Sequence, residues 1–428
     1  MGNKVSNEQP ATNSDLPQNP TQPSAFSQER ESKKGEQETS NQQQIWEKHY
    51  QEWRDPMQIT SQWKEASETD RKLLQYEIIG DWWSILEQCN ITLLITREYE
   101  HLLIGVRVKK GMPKITYTRI PHPSGLTVDR DRGIVHIAST RNPNQIYDLM
   151  PASDTLSRLD IPGEKREDRP LIPVRSHFYP GCLYIHDLAI IGSNLYANAV
   201  GQNAIALLNN DGSYQRVWHP HCIEVNKQPI CGQNHIQLNS IAAGQTLETS
   251  YFSASCEEIS ELRPGHPDFP VDGRGVIFSG QTREPIVGGL TRPHSARMYQ
   301  NKVWVDNSGY GEFGFVENGE FVAVARLPGW TRGLCFYENI AFVGTSRVIP
   351  RFRQYAPGLE VEESICGLHA IDVRSGNILG SLVWPYGNQI FALDWVECQF
   401  SSGFPFLAGE DRDRERDIRL FYSFVIDR

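Results

Sequence analysis

The chain has 428 residues, of which 39% are hydrophobic and 10% aromatic, and its formal net charge is −10. That apolar content is enough to bury a large core, and the lack of a long Lys/Arg block argues against a nucleic-acid partner. No stretch approaches the roughly 18 apolar residues of a membrane helix, and the first residues lack the apolar core of a secretory signal. We therefore expect a cytoplasmic protein with no membrane partner.

Residues 1–44 are rich in Gln, Asn, Ser, Pro and Glu, and Phe26 is their one aromatic residue. Such a segment cannot bury enough apolar area to offset the entropy of ordering, which predicts a disordered tail. From residue 45 onward, aromatic and aliphatic residues recur at spacings of three, four and seven, which is typical of helices. We therefore expect a Trp-rich helical extension at 45–88, packed against a main domain at 89–428.

The main domain is predicted to be a repeat of short β-strands. Its apolar runs alternate with Gly, Asn, Asp and Pro turns, and the same strand–turn–strand pattern returns at intervals of roughly 40 to 60 residues. That spacing suits the four-stranded blades of a β-propeller. The first strand of each repeat starts at one of six positions, which we call the anchor residues: Ser124, His186, Asn239, His294, Arg332 and Phe391.

The two ends of the domain are expected to share one blade. The sixth anchor residue, Phe391, is followed by no clean second strand, whereas three apolar runs precede the first repeat between residues 91 and 120. Pairing the strand at 391–396 with these runs would close the ring and leave no strand edge open. The sequence therefore predicts an all-β fold, a six-bladed β-propeller.

A propeller brings the start of every inner strand, and the end of every second strand, to one mouth of its central channel. Polar residues at these positions should converge there although they are far apart in the sequence. We predict a ligand-binding site with these residues: Arg141, His186, Asp187, Asn239, His294, Ser295, Asn307, Arg332 and Arg347.

Some of these residue types have a simpler explanation. Ser and Asn are common turn formers, so Ser124, Asn198 and Ser308 could serve the backbone alone. Arg332 lies between apolar residues, and a buried guanidinium requires an anionic partner. That partner is either a nearby carboxylate such as Asp187 or an anionic ligand.

Several segments carry a family resemblance: IHDLAIIGSNLYANA, RPHSARMYQNKVWVDNSGYGEFG, LPGWTRGLCFYENIAFVGTSR, CGLHAIDVRSGNILGSLVW and QIFALDW. Over about residues 80–398, the chain resembles a bacterial propeller family of conserved hypothetical proteins with a domain of unknown function. The resemblance implies the fold but no reaction. The chain departs from the family pattern at Gln237, where the family has His, and glutamine is a poor replacement for a metal ligand.

Three classes of function remain open. The first is a module that binds an anionic small molecule or a peptide segment through its arginines. The second is a metal-dependent hydrolase or lyase, in which His186 and His294 hold one divalent metal ion as cofactor. The third is a protein-interaction scaffold. Because the metal site requires two side chains from non-adjacent blades to meet at one point, we favour the first.

Overall fold

The computed structural model describes residues 39–50, 68–141, 144–155, 168–409 and 424–426. The chain divides into two compact units, Met1–Ser61 and Gln62–Arg428. In the first unit, residues 39–50 form a helix. This helix starts at residue 39, ahead of the predicted boundary at residue 45. Residues 1–38 and 51–67 lie outside the described residues.

The second unit contains six antiparallel sheets of four strands, which are the blades of a propeller. Blade one consists of Pro123–Asp129, Ile134–Ser139, Gln145–Pro151 and Leu171–Phe178. Blade two consists of Ile185–Ile191, Asn194–Ala199, Ala204–Leu208 and Tyr214–Trp218. Blade three consists of Leu238–Ala242, Tyr251–Ala254, Gly275–Ser279 and Pro285–Leu290.

The other three blades follow in chain order. Blade four consists of Pro293–Tyr299, Lys302–Asn307, Glu312–Glu317 and Glu320–Arg326. Blade five consists of Trp330–Tyr337, Ile340–Ser346, Gly367–Asp372 and Ile378–Val383. Blade six consists of Ala392–Glu397, Ile91–Arg97, Leu102–Lys109 and Met112–Arg119. The inner strand of each blade contacts those of both neighbouring blades, so the ring is closed.

Ring closure joins distant parts of the chain in blade six. Its inner strand, Ala392–Glu397, pairs antiparallel with Ile91–Arg97, and Leu393 lies opposite Ile95. This is the pairing that the sequence predicts, and it confirms the six-bladed fold. Apolar side chains of blades six and one, including Leu94, Leu126 and Phe391, pack into one buried cluster where the ring closes.

Extra elements cover the outer edges of two blades. Glu77–Gly80 pairs with the last strand of blade five, and Phe406–Leu407 pairs with the last strand of blade six. The helix Trp82–Cys89 buries Trp82 completely against the propeller. The sequence pattern predicts helix for 77–80 as well, but this segment is a strand because it pairs with the free edge of blade five.

Shorter elements complete the described part of the chain. Short 3₁₀ turns span Arg71–Leu74, Val200–Gln202, His221–Ile223, Ser308–Tyr310, Pro350–Tyr355 and Val361–Glu363. Two small ribbons pair Glu224–Val225 with Gln228–Pro229, and Asp154–Thr155 with Phe424–Val425. Within the described ranges, no helix is long and apolar enough to cross a membrane.

Candidate functional site

A β-bulge marks the beginning of the inner strand in blades one to five. In each of these blades, the pairing between the first and second strands shifts register at or just after the anchor residue. A bulge turns the side chain beside it out of the regular alternation of a strand. The repeated bulge is therefore the local reason that anchor side chains can point into the channel mouth.

A second ring of side chains is set by the residue two positions ahead of each anchor. In blades one to four this residue is His122, Tyr184, Gln237 or Arg292, and its φ angle is between 45° and 54°. Left-handed backbone is uncommon for residues other than glycine and costs roughly 1–3 kcal/mol. Tyr184, Gln237 and Arg292 all line the channel mouth, so this strained conformation places side chains in the site.

The mouth has a wide outer part and a small inner part. The outer part, which we call the basin, has a volume of about 1010 Å³. The inner cavity has a volume of about 70 Å³ and is lined by Glu98, Tyr99, Tyr184, His186, Gln237, Asn239, Arg292, His294, Trp330, Arg332 and Phe352. Tyr99, Tyr184, Gln237, Arg292 and Phe352 line both spaces. The inner cavity therefore lies at the floor of the basin.

His186, His294 and Arg332 meet in the inner cavity around the ring of Phe391. The two imidazole ring centroids are 6.0 Å apart, and each lies within 5.6 Å of the Phe391 ring centroid. The Arg332 guanidinium carbon lies 3.5 Å from the same centroid. Arg332 Nε donates a hydrogen bond of 3.1 Å to His294 Nε2. The structure thus brings together three anchor residues from three blades.

The inner cavity holds two buried arginines that have no carboxylate within ion-pair distance among the described residues. Burial lowers the pKa of Arg332 from its ordinary value, and burial lowers the pKa of Arg292 to about 10. The pKa values of His186 and His294 are well below the usual range. Burial is the main cause, and the charges of Arg332 and Arg292 lower them further. Both histidines are therefore neutral near pH 7, and the positive charge of the cavity comes from the arginines.

Arg292 is held by neutral groups. Its Nη1 donates to Gln237 Oε1 at 3.0 Å, to Ser255 Oγ at 3.2 Å and to the Pro264 carbonyl at 3.0 Å. Its guanidinium carbon lies 4.4 Å from the Tyr355 ring centroid. None of these partners neutralises the charge, so Arg292 is oriented but remains available to an anion.

Among the described residues, Glu98 is the one acidic residue in the wall of the inner cavity. Its Oε1 accepts hydrogen bonds from Thr140 Oγ1 at 2.8 Å and from Arg141 Nε at 3.4 Å. Arg141 therefore offsets the charge of Glu98 at the boundary with the basin. The balance of Arg292, Arg332, Arg141 and Glu98 is positive.

Four of the predicted site residues lie elsewhere. Asp187 is bonded to Arg297, at 2.7 and 3.1 Å, and not to Arg332. Ser295 is buried and accepts a hydrogen bond from the Gly333 amide. Asn307 bonds Thr291 and Glu312, while Arg347 is exposed and bonds the Pro385 carbonyl. These side chains do not line either space, because their partners hold them in the blades.

Polar residues at the blade ends also join neighbouring blades. Ser124 Oγ donates to the Ile185 carbonyl at 2.9 Å, and Ser308 Oγ donates to the Thr331 carbonyl at 2.6 Å. Asn198 Nδ2 donates to the Leu238 carbonyl at 3.1 Å. In each case the acceptor lies just ahead of the next anchor residue. These side chains serve the backbone, which is the simpler explanation offered by the sequence.

The donor set of the cavity fits a metal ion poorly. The Nε2 atom of His294 accepts the Arg332 N–H, and two guanidinium cations would repel a divalent cation. In the described ranges, no three His, Cys, Asp or Glu side chains cluster closely enough to hold a metal. Gln237, which stands where the resembled family has His, instead accepts a hydrogen bond from Arg292.

Sequence reasoning missed most of the second ring. Arg292 lies two residues ahead of the anchor residue His294, and Tyr184 lies two residues ahead of the anchor residue His186. The recurring offset from the anchor was the available signal. The offset matters because the backbone is left-handed at these residues. That conformation does not favour arginine or tyrosine, so the residue types do not reveal it in the sequence.

Comparison with known proteins identifies the chain at the level of family. A search of curated proteins finds no match. The chain is similar to a solved nidogen/laminin complex (8% identity, 72% of this chain and 99% of that chain, TM-score 0.46). It is also similar to virginiamycin B lyase from Staphylococcus aureus (11% identity, 72% and 99%, TM-score 0.33). These weak likenesses carry no argument about activity. The family model for Domain of unknown function (DUF4915) matches residues 80–401, and the chain belongs to that family.

Proposed function

We propose that the propeller binds a small anionic molecule at its channel mouth, with an acidic group of the ligand held between Arg292 and Arg332. The observation that carries this proposal is the burial of two guanidinium groups with no carboxylate partner among the residues that the structure describes. Taking such a charge out of water costs several kcal/mol unless an anion compensates it. Guanidinium groups bind carboxylates and phosphates through short, charge-assisted hydrogen bonds.

The far end of the same channel provides a contrast. A second cavity of about 350 Å³ lies there, with Arg130 and Arg297 in its wall. Arg130 pairs with Asp394 at 3.4 Å, and Arg297 pairs with Asp187 at 2.7 Å. Arginines at the far end are therefore neutralised by the protein itself, whereas Arg292 and Arg332 are not.

The size of the site favours a small molecule over a peptide segment. Small-molecule sites typically occupy about 300–1000 Å³ and use a few placed polar groups, and the basin with its inner cavity fits that description. The metal-dependent hydrolase or lyase is the weaker candidate, because the cavity charge is positive and His294 is already bonded to Arg332.

The test is anion-dependent thermal stability. Inorganic phosphate, sulfate and acetate are titrated into wild type, Arg332→Met and Arg130→Met, with chloride at matched ionic strength. Since a ligand that binds only the folded state raises its stability by an amount that grows with the logarithm of its concentration above Kd, we expect Tm to rise with anion concentration, beyond the effect of chloride, for wild type and Arg130→Met. Arg332→Met should need about 10 to 100 times more anion for the same rise, the worth of one charge-assisted contact. Equal responses in all three proteins, or no rise beyond that with chloride, would overturn the proposal.

A further inference from the structure

We propose that the ligand is a small dianion, in which one acidic group enters the inner cavity and a second is bound by arginines of the basin wall. This inference rests on the proposed function and names the class of ligand. The basin wall contains four arginines, Arg141, Arg263, Arg292 and Arg353. No Asp or Glu is among its described lining residues, although the chain as a whole carries a net charge of −10.

The inner cavity has room for one acidic group. One water molecule needs roughly 10–15 Å³ of such cavity space, so about 70 Å³ has room for a few waters or for one carboxylate or oxyanion group. Arg292 and Arg332 both border this space, and both side chains are more than nine-tenths buried. The rest of any larger ligand must therefore extend into the basin.

The basin arginines can take up a second acidic group. Arg141 is about half exposed, and its Nε donates a hydrogen bond of 3.4 Å to Glu98 Oε1. Arg353 pairs with Glu362, and both of these side chains are largely exposed. The Arg353–Glu362 pair is exposed and is therefore worth only about 0–1 kcal/mol, so Arg353 can turn to a ligand. No ion pair of Arg263 is found among the described residues, so its guanidinium is open to a ligand.

Aromatic side chains lie between the two charged ends. The Tyr99 and Phe352 rings stack with centroids 6.1 Å apart and an interplanar angle of 14°, and both border the inner cavity and the basin. The faces of these rings suit an apolar spacer. The arrangement thus fits a short molecule with acidic groups at both ends of an apolar linker.

The test compares linear dicarboxylates, from oxalate to adipate, with monocarboxylates of matched length, such as glutarate with butyrate. Binding is measured by calorimetry to wild type, Arg263→Met, Arg332→Met and Arg130→Met. We expect at least one dicarboxylate to bind about tenfold more tightly than its matched monocarboxylate. Arg263→Met should reduce this advantage by weakening the dicarboxylate more than the monocarboxylate, whereas Arg332→Met should weaken both ligands and Arg130→Met neither.

The outcomes separate the two proposals. Equal affinity for dicarboxylates and monocarboxylates, lost in Arg332→Met, would refute the dianion and leave the proposed function standing. Absence of binding by both classes, together with no response to phosphate or sulfate, would refute both proposals. Cys182 provides a second readout, since it is exposed and lines the basin. The preferred dicarboxylate should slow alkylation of Cys182, whereas its matched monocarboxylate, confined to the inner cavity, should not.

Discussion

Arg297 and Arg332 are arginines of neighbouring blades with different partners: the Arg297 side chain is 20% exposed and Arg332 is buried. Arg297 is bonded to Asp187 through two nitrogens, whereas Arg332 has His294 and the Phe391 ring. Arg297→Met leaves the Asp187 carboxylate buried and unpaired, so we expect the free energy of unfolding to fall by about 3–5 kcal/mol. Arg332→Met removes a buried charge that has no ion-pair partner among the described residues, so the free energy of unfolding should stay unchanged or rise.

Denaturant unfolding of the two variants in anion-free buffer checks this difference. Equal destabilisation by both substitutions would mean that Arg332 has a structural role like that of Arg297, and the reasoning from its missing partner would fail.

His369 should make stability depend on pH. It is buried in blade five, and burial lowers its pKa to about 4. Because the unfolded histidine takes up a proton near pH 6.5 and the folded one only near pH 4, the folded state loses stability as the pH falls through that window. At about 1.4 kcal/mol per pKa unit, the loss is about 3 kcal/mol.

The matched comparison is His369→Gln, which removes the titrating group. Both proteins are unfolded in urea at pH 7, 5.5 and 4. From pH 7 to pH 4, the free energy of unfolding of wild type relative to His369→Gln should fall by about 3 kcal/mol. Parallel pH profiles of the free energy of unfolding would show that His369 does not cause this pH dependence.

At the scale of single elements, the start of each inner strand combines two local devices. The bulge turns the anchor residue toward the channel, and the left-handed residue two positions earlier places a second side chain beside it. His186 with Tyr184, and His294 with Arg292, show the same arrangement in blades two and four. Sequence alone located the anchors through their strand pattern, but bulges have no strong residue signature.

The helix Trp82–Cys89 is expected to stabilise blade five from outside. Trp82 is fully buried, and its ring meets that of Phe342 edge-on with centroids 5.9 Å apart. Trp82→Ala removes a large buried side chain and should lower the free energy of unfolding by about 3–5 kcal/mol. Ile79→Ala is the control, because Ile79 is 59% exposed. Similar unfolding curves for the two variants would show that the helix adds no stability.

At the scale of the whole molecule, the repeat predicted the number of blades and the closure through Ala392–Glu397 and Ile91–Arg97. These features follow from strand spacing and from the need to pair every strand edge. The roles of individual polar residues could not be predicted in the same way. Asp187 adjoins His186 in the sequence, yet it pairs with Arg297 away from the inner cavity, because both residues lie in a β-bulge, where side-chain directions do not follow the alternation of a strand.

The central claim is that Arg292 and Arg332 form an anion site at one mouth of the channel. Crystals of wild type and Arg332→Met soaked in selenate, with anomalous diffraction measured at the selenium edge, test it most directly. We expect a selenium peak in the inner cavity of wild type, placed so that the selenate oxygens accept hydrogen bonds from both guanidinium groups. We expect no peak there in Arg332→Met. Selenate bound only on the outer surface of wild type, with no peak between the two arginines, would contradict it.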